Sequence, residues 1–245
     1  MLGVGVHVVA PQAAVFLLET SVEKGLKGYV CVTGVHGVME SQRDPSLRDI
    51  HNRSLLTVPD GMPTVWVGRL KGRRDMRRTY GPDLMMDVCH ATQTSGHTHF
   101  LYGGKEGVAE ELSAQLQERF PGLKVVGTYC PPFRPLTDQE EKELGEKVAT
   151  VNPDYFWVGL STPKQERFMA DHTHLQAKVM LGVGAAFDLH TGRMVDAPRW
   201  MKVCGLQWFH RLCQEPRRLA RRYLVNNPVF LWKIILQLTG IVKYS

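Results

Sequence analysis

The 245-residue chain contains no C-x-x-C pair and no Asp-x-Asp. Its five cysteines (Cys31, Cys89, Cys130, Cys204, Cys213) are odd in number and scattered, which excludes a disulfide framework or a zinc ribbon and suits a reducing compartment. Without Asp-x-Asp, the usual carboxylate pair that holds a divalent ion against a nucleotide diphosphate is missing. No metal site is expected, and a diphosphate leaving group would need cationic side chains and amides to stabilise it. Long apolar runs are also missing. The most apolar stretch, 229–242, has Trp232 and Lys233 inside it and is too short to span a bilayer, so it suits an interface or packing on the body. The first ten residues lack a basic region, and Gln12 and Glu19 break the apolar run that follows, so no signal peptide is expected and a cytoplasmic location is. Acids are scarce in one place. From Ala197 onward nine Lys and Arg face one acid, Glu215, for a net +8, whereas the preceding 196 residues hold 21 basic against 23 acidic residues. The basic end is therefore the part expected to meet an anion, with membrane surface, polyprenyl diphosphate and nucleic acid as candidates.

Strand-like and helix-like patterns alternate along most of the length. Strands are expected at 6–9, 29–35, 55–58, 99–102, 123–129, 155–159 and 179–181, with helices at 11–24, 38–52, 63–70, 82–94, 108–120, 137–151 and from Pro163. Such βα rhythm predicts an α/β fold with a largely parallel sheet and helices on both faces. After Asp196 the pattern changes to helical pieces punctuated by Pro198, Gly205, Pro216 and Pro228. The expected organisation is an α/β core at 1–196 and a basic helical appendage at 197–245.

Chemistry is expected first at Asp60, on a tight Pro59-Asp60-Gly61 turn after a short apolar strand, because sites in open α/β sheets gather at the carboxyl ends of strands. A helix N-cap or turn aspartate is the plainer reading of the same spacing. Gly103-Gly104-Lys105-Glu106-Gly107 lies between a strand and a helix and suits a phosphate cradle, or simply a tight βα turn. Gly182-Val183-Gly184 resembles half a dinucleotide fingerprint, which leaves a nucleotide-dependent oxidoreductase as an alternative. The His97/His99 and His172/His174 pairs have two-residue metal-ligand spacing but no third ligand at a recognisable interval. Two basic runs stand out: 69–78, and a helix face with Arg217, Arg218, Arg221 and Arg222, the latter leaving a non-catalytic nucleic-acid-binding module as a further alternative.

Ordered stretches along nearly the whole chain resemble the WecG/TagA/CpsF family of bacterial glycosyltransferases: Pro59-Asp60-Gly61 with Val65-Trp66, Gly81-Pro82-Asp83, Phe100-Leu101-Tyr102-Gly103-Gly104, Pro131-Pro132-Phe133, Pro163-Lys164-Gln165-Glu166, Gly182-Val183-Gly184-Ala185, Gly205-Leu206-Gln207-Trp208, and Glu215-Pro216-Arg217-Arg218. The resemblance implies a Rossmann-like, metal-independent, inverting transferase without cofactor. It would move a sugar, of N-acetylmannosamine type or another hexose derivative, from a UDP-sugar to a polyprenyl-diphosphate-linked acceptor for exopolysaccharide or wall polymer. It would sit peripherally on an anionic cytoplasmic membrane face, with no nucleic-acid partner and a homo-oligomer left open. Asp60 matches the family's general base. Gly103, Gly104, Gln165 and Glu166 would bind the donor, and Arg211, Arg218 and Arg221 the acceptor diphosphate. The chain departs from the family pattern at Val32-Thr33-Gly34, where the Asp60 register sets Val32 on the family threonine and Gly34 on its asparagine; Thr33 is the hydroxyl carried over as a catalytic candidate. It departs again at Asp196, where an arginine is common.

Overall fold

The computed structural model describes residues 1–244, and its packing divides the chain into two compact units. Unit 1 gathers Met1–Ala10, Val32–Tyr80 and the chain from Asp196 onward; unit 2 gathers Pro11–Cys31 and Gly81–Val195. Charge is divided just as sharply, with 18 Lys and Arg against 7 Asp and Glu in unit 1 (+11), and 12 against 17 in unit 2 (−5).

The fold is α/β and Rossmann-like, on a six-stranded sheet among the described residues. Strands β1 (Gly28–Thr33), β2 (Leu56–Pro59), β3 (Thr98–Gly103), β4 (Lys124–Tyr129), β5 (Tyr155–Gly159) and β6 (Val179–Gly182) lie in the order β2-β1-β6-β5-β3-β4. The β1–β6, β5–β6, β3–β5 and β3–β4 ladders all run parallel. Successive residues of β3, β5 and β6 are buried, as expected where both faces are covered, whereas the edge strand β4 is half-exposed along its length.

Within unit 2 the helices are α1 (Pro11–Glu23), α5 (Gly81–Thr92), α6 (Val108–Arg119), α7 (Asp138–Val151), α8 (Lys164–Asp171) and α9 (Ala186–His190). The capping box read from Thr137 and Glu140 is present, with each side chain bonded to the other residue's backbone N–H. Unit 1 holds α2 (Val35–Arg43), α3 (Pro45–Arg53), α4 (Met62–Leu70), α10 (Arg199–Val203), α11 (Gln207–Gln214) and α12 (Pro216–Leu238). Its core joins Leu2, Val4, Val38, Met39 and Val67 to Phe230 and Ile234 of α12. Polar ties reinforce this seating: Arg43 donates to Asn226 Oδ1 at 2.6 Å, and Gln237 Oε1 accepts from Leu2 N at 3.2 Å.

Three expectations are corrected. The single helix over 38–52 is two, because Pro45 supplies no N–H and forces Asp44 into extended backbone, where its carboxylate caps α3 through Ser46 N. Residues 6–9 form no strand. His7 N does donate to Thr57 O, but Thr57 N, which a ladder would give to a carbonyl, bonds instead to the His7 ring nitrogen. Pro228 does not end a helix, as α12 runs through it. The carbonyl it leaves without a helical partner belongs to Leu224, an exposed residue in reach of water.

His99, on β3, is wholly buried between tiers of aromatic rings, stacked on Tyr155 and Trp157. Trp157 Nε1 donates to its Nδ1 at 3.1 Å, so Nε2 carries the proton and faces Thr92 Oγ1 at 3.0 Å. Burial lowers its pKa from 6.5 to about 4. The folded state therefore holds a neutral ring where the unfolded chain binds a proton. This contribution to stability is complete above about pH 6.5 and lost as pH falls toward 4, about 3 kcal/mol in all. Denaturant unfolding measured from pH 7 to pH 4 should show that loss, and His99→Gln, which keeps an acceptor and a donor, should flatten it. An equal slope in both proteins would refute the assignment.

Candidate active site

Two clusters of functional side chains form, one in each unit. In unit 1, Asp60 follows the last residue of β2, and its N–H donates to Thr33 O at 3.0 Å, so the turn hangs from the end of β1. Gly61 caps α4 and Gly34 caps α2. Gly34 lies so close that a Cβ there would be 3.8 Å from Asp60 Oδ2. Thr33 presents its carbonyl to Asp60, while its buried side chain lies toward Gly37 and His51, with Oγ1 unpartnered.

Arg78 holds the other side of the Asp60 turn. Its Nε donates to Asp60 O and its Nη2 to Gln207 Oε1, and its guanidinium covers the Tyr80 ring at 4.3 Å. Gln207 Nε2 donates to Asp196 Oδ1 at 3.1 Å, and Lys202 pairs with the same carboxylate. Burial first, then the charges of Asp196 and Asp60, push the Tyr80 hydroxyl far above its ordinary pKa. It stays protonated and donates to Asp196 at 3.4 Å.

The arginines of α11 and α12 add positive charge to this cluster. Arg211 and Arg222 each bury an Nε with no hydrogen-bond partner. Burial lowers the Arg222 pKa, and Arg211 and Arg218 push it the same way, while Tyr223 and Asp60 oppose them. Cations packed together with unsatisfied donors form a site that an anion would complete. Arg218 is exposed and paired with Glu215; Arg221 is exposed. Tyr80, Asp196 and Gln207 are not read from the sequence as site residues, and Arg78 and Arg222 are read only as members of the two basic runs. For Arg222 the signal was available, since it stands four residues after Arg218 and so on the same helix face.

In unit 2, Gly103 ends β3 with φ 137°, and a Cβ there would strike Gly159 O at 2.6 Å, so only glycine lets β3 and β5 end so close together. Gly104 follows at φ 77°. The first turn of α6 carries Glu110 and Glu111, which already complement the positive end of that helix. Gln165 is fully used: its Nε2 donates to Glu166 Oε1 at 3.1 Å, and its Oε1 accepts from Gly184 N at 2.9 Å. Glu166 is completely buried; its Oε1 also accepts from Thr162 Oγ1 at 2.8 Å, and its Oε2 has no partner. That oxygen is the open acceptor of the cluster.

The Gly182–Gly184 turn is filled rather than open, since a Cβ on Gly182 would meet Met169 Cε at 2.8 Å and Gln165 Cδ at 3.1 Å. Among the described residues no strand follows α9, so the βαβ unit that a dinucleotide fingerprint requires is missing. The ring nitrogens of His99 and His172 are engaged by protein partners, and among the described residues no three His, Cys, Asp or Glu come together to hold a metal ion.

Comparison with known proteins gives the family. A family model described as "Glycosyl transferase WecG/TagA/CpsF family" matches residues 1–243. The chain belongs to this family. Among its relatives is the N-acetylglucosaminyldiphosphoundecaprenol N-acetyl-beta-D-mannosaminyltransferase of Bacillus subtilis (strain 168), 31% identical over 180 residues, covering 73% of this chain and 68% of the relative. The protein of the same name from Bacillus spizizenii (strain ATCC 23059 / NRRL B-14472 / W23) is 28% identical over 220 residues, covering 89% of this chain and 83% of the relative. Family membership makes the chain a glycosyltransferase.

Proposed function

We propose that the chain transfers a hexose derivative of the N-acetylmannosamine type from a UDP-sugar to a polyprenyl-diphosphate-linked sugar, with inversion, in the building of a cell-surface polymer. Both relatives are named for an undecaprenyl-diphosphate-linked N-acetylglucosamine acceptor and a mannosaminyl product, which supports this substrate class. The observation that carries the reading furthest is the pair of buried, unpartnered Nε atoms of Arg211 and Arg222, the latter in the field of Asp60. Such a site takes a multiply charged oxyanion and sets a carboxylate beside it.

Asp60 accepts the proton of the acceptor hydroxyl as that oxygen bonds to the anomeric carbon. The bond from that carbon to the UDP oxygen breaks on the opposite face, and UDP leaves with the electron pair. Arg211 and Arg222, with Arg218 at the rim, hold the acceptor diphosphate; Arg221 and Thr33 stand as further candidates from the family match. The Gly103-Gly104 turn and the cluster of Gln165 and Glu166 hold the donor, with Glu166 Oε2 accepting from a donor N–H or O–H.

Asp60→Asn should lower turnover by about 10² to 10⁴ with donor binding nearly unchanged, read as UDP release from a panel of UDP-sugars with a short-chain lipid-diphosphate-sugar acceptor. Near-normal turnover would remove Asp60 from the mechanism, and no UDP release from any donor would remove the reading as a whole. Because cationic side chains take the leaving-group charge in this scheme, activity should persist in excess EDTA. A complete loss that Mg²⁺ or Mn²⁺ restores would overturn metal independence.

A peripheral place on the inner membrane face belongs to the same reading. No helix among the described residues is long and apolar enough to cross a membrane. Yet α12 and the residues after it expose Leu231, Trp232 (62%), Ile235 and Ile241 (72%) beside a strongly basic run, the composition of an interfacial helix. Replacing Leu231 and Trp232 by Ser should weaken partitioning onto anionic vesicles by about tenfold or more. Unchanged co-sedimentation would refute the membrane role of this face.

A further inference from the structure

We propose that Gln207 and Asp196 are positioning residues for Asp60, acting through Arg78. The inference rests on Asp60 being the general base. It concerns how the chain from Asp196 onward fixes the geometry of that base.

Asp60 is gripped at both of its backbone groups. Its N–H is bonded to Thr33 O, and its C=O accepts from Arg78 Nε. The next residue is Gly61, with no side chain to restrict the peptide between them, so the Arg78 contact is what holds that plane. Arg78 comes from the segment that follows α4, and a long side chain on a turn needs a partner of its own to stay in one rotamer. Gln207 Oε1 supplies it. The Gln207 amide is in turn fixed in orientation: turning it over would set its NH2 against the guanidinium and its oxygen against the Asp196 carboxylate. Asp196 Oδ1 also accepts from Ala197 N at 2.7 Å and from Tyr80 OH, and Lys202 occupies Oδ2. The Tyr80 ring lies between the Arg78 guanidinium at 4.3 Å and the Lys202 ammonium at 5.1 Å. The Asp196 carboxylate, the Gln207 amide, the Arg78 guanidinium and the Asp60 carbonyl are thus bonded in series in one arrangement.

The consequence is a direct link between the seating of α11 and the aim of the Asp60 carboxylate. Gln207 is the first residue of α11, and Arg211 lies one turn further along the same helix. An acceptor diphosphate that draws Arg211 into place also seats Gln207, which locks Arg78 on the Asp60 turn. The base is thereby held at its working geometry when the acceptor is bound, and a misplacement of about 1 Å is enough to cost on the order of 10²-fold in rate.

The test is steady-state kinetics on the full chain with short-chain acceptor, alongside thermal unfolding. Gln207→Leu should lower kcat by about 10- to 100-fold with the donor KM within about twofold of wild type. Gln207→Glu should also lower kcat, because it sets a second carboxylate against Asp196. The double variant Asp196→Asn/Gln207→Glu should recover part of the loss, since the new carboxylate accepts from Arg78 and no longer faces a second carboxylate at 196. A merely structural role would move the unfolding midpoint without this split and without rescue. Unimpaired kcat in Gln207→Leu, or a double variant no better than Gln207→Glu alone, overturns the inference. Should Gln207→Leu lose cooperative unfolding, the double variant, which preserves side-chain volume, decides. Asp60→Asn measured in parallel separates the two levels: near-normal turnover there removes the general-base reading and this inference with it, whereas an inactive Asp60→Asn beside an unimpaired Gln207→Leu removes this inference alone.

Discussion

Two half-buried arginines, Arg211 and Arg222, whose Nε donors are buried and unsatisfied, are the constraint on which the cluster in unit 1 turns. Taking a cation out of water is unfavourable by several kcal/mol unless partners replace the lost hydration. At Arg222 the charges of Arg211 and Arg218 act with burial against the cation, while Tyr223 and Asp60 act for it. An arrangement of that kind costs stability in the free protein, and an anion bound there would recover it.

Apolar packing elsewhere in unit 1 offsets that cost. Phe230 and Ile234, one turn apart on α12, are buried among Leu2, Val4, Val38, Met39 and Val67, and Leu219 is buried on the same helix. Removing a buried phenylalanine such as Phe230 costs about 3–5 kcal/mol in typical cores. The helix that bears Arg218 and Arg222 near one end is therefore anchored further along by Phe230 and Ile234, and Asn226 between them is held by Arg43. This division explains how one helix can be basic near Arg218 and Arg222, buried at Phe230, and exposed and apolar at Trp232.

Much of the architecture was legible in the sequence, because it rests on local periodicity. The alternation of β-branched and aromatic runs with four-residue apolar spacing gave β1 to β6 and most helices to within a few residues, and the Thr137/Glu140 pair marked its cap. Where the reading failed, a non-local partner decided. Residues 6–9 look like a strand until His7 takes the N–H of Thr57, fifty positions away. Pro228 looks like a stop until Phe230 and Ile234 find a core made from the first residues of the chain. The same holds at the site. Asp60 announces itself by its turn, whereas Gln207 and Asp196 mean nothing until Arg78 stands between them and that turn.

On the proposed allotment of substrates, with Asp60 and the arginines in one basic unit and the glycine turns with Glu166 in an acidic one, different physics serves the acceptor and the donor. Unit 1, at +11, attracts anions from a distance and holds them by charge, which suits a diphosphate presented at a negative membrane surface. Unit 2, at −5, cannot rely on long-range attraction for a nucleotide-sugar diphosphate. Its recognition would come at short range, from backbone made approachable by Gly103 and Gly104 and from the buried Glu166 Oε2, which has no partner of its own. The donor would then be selected by its neutral polar groups, the hydroxyl and amide donors of sugar and base, and Glu166 would discriminate by leaving a buried acceptor unpaired against any ligand that lacks the matching group.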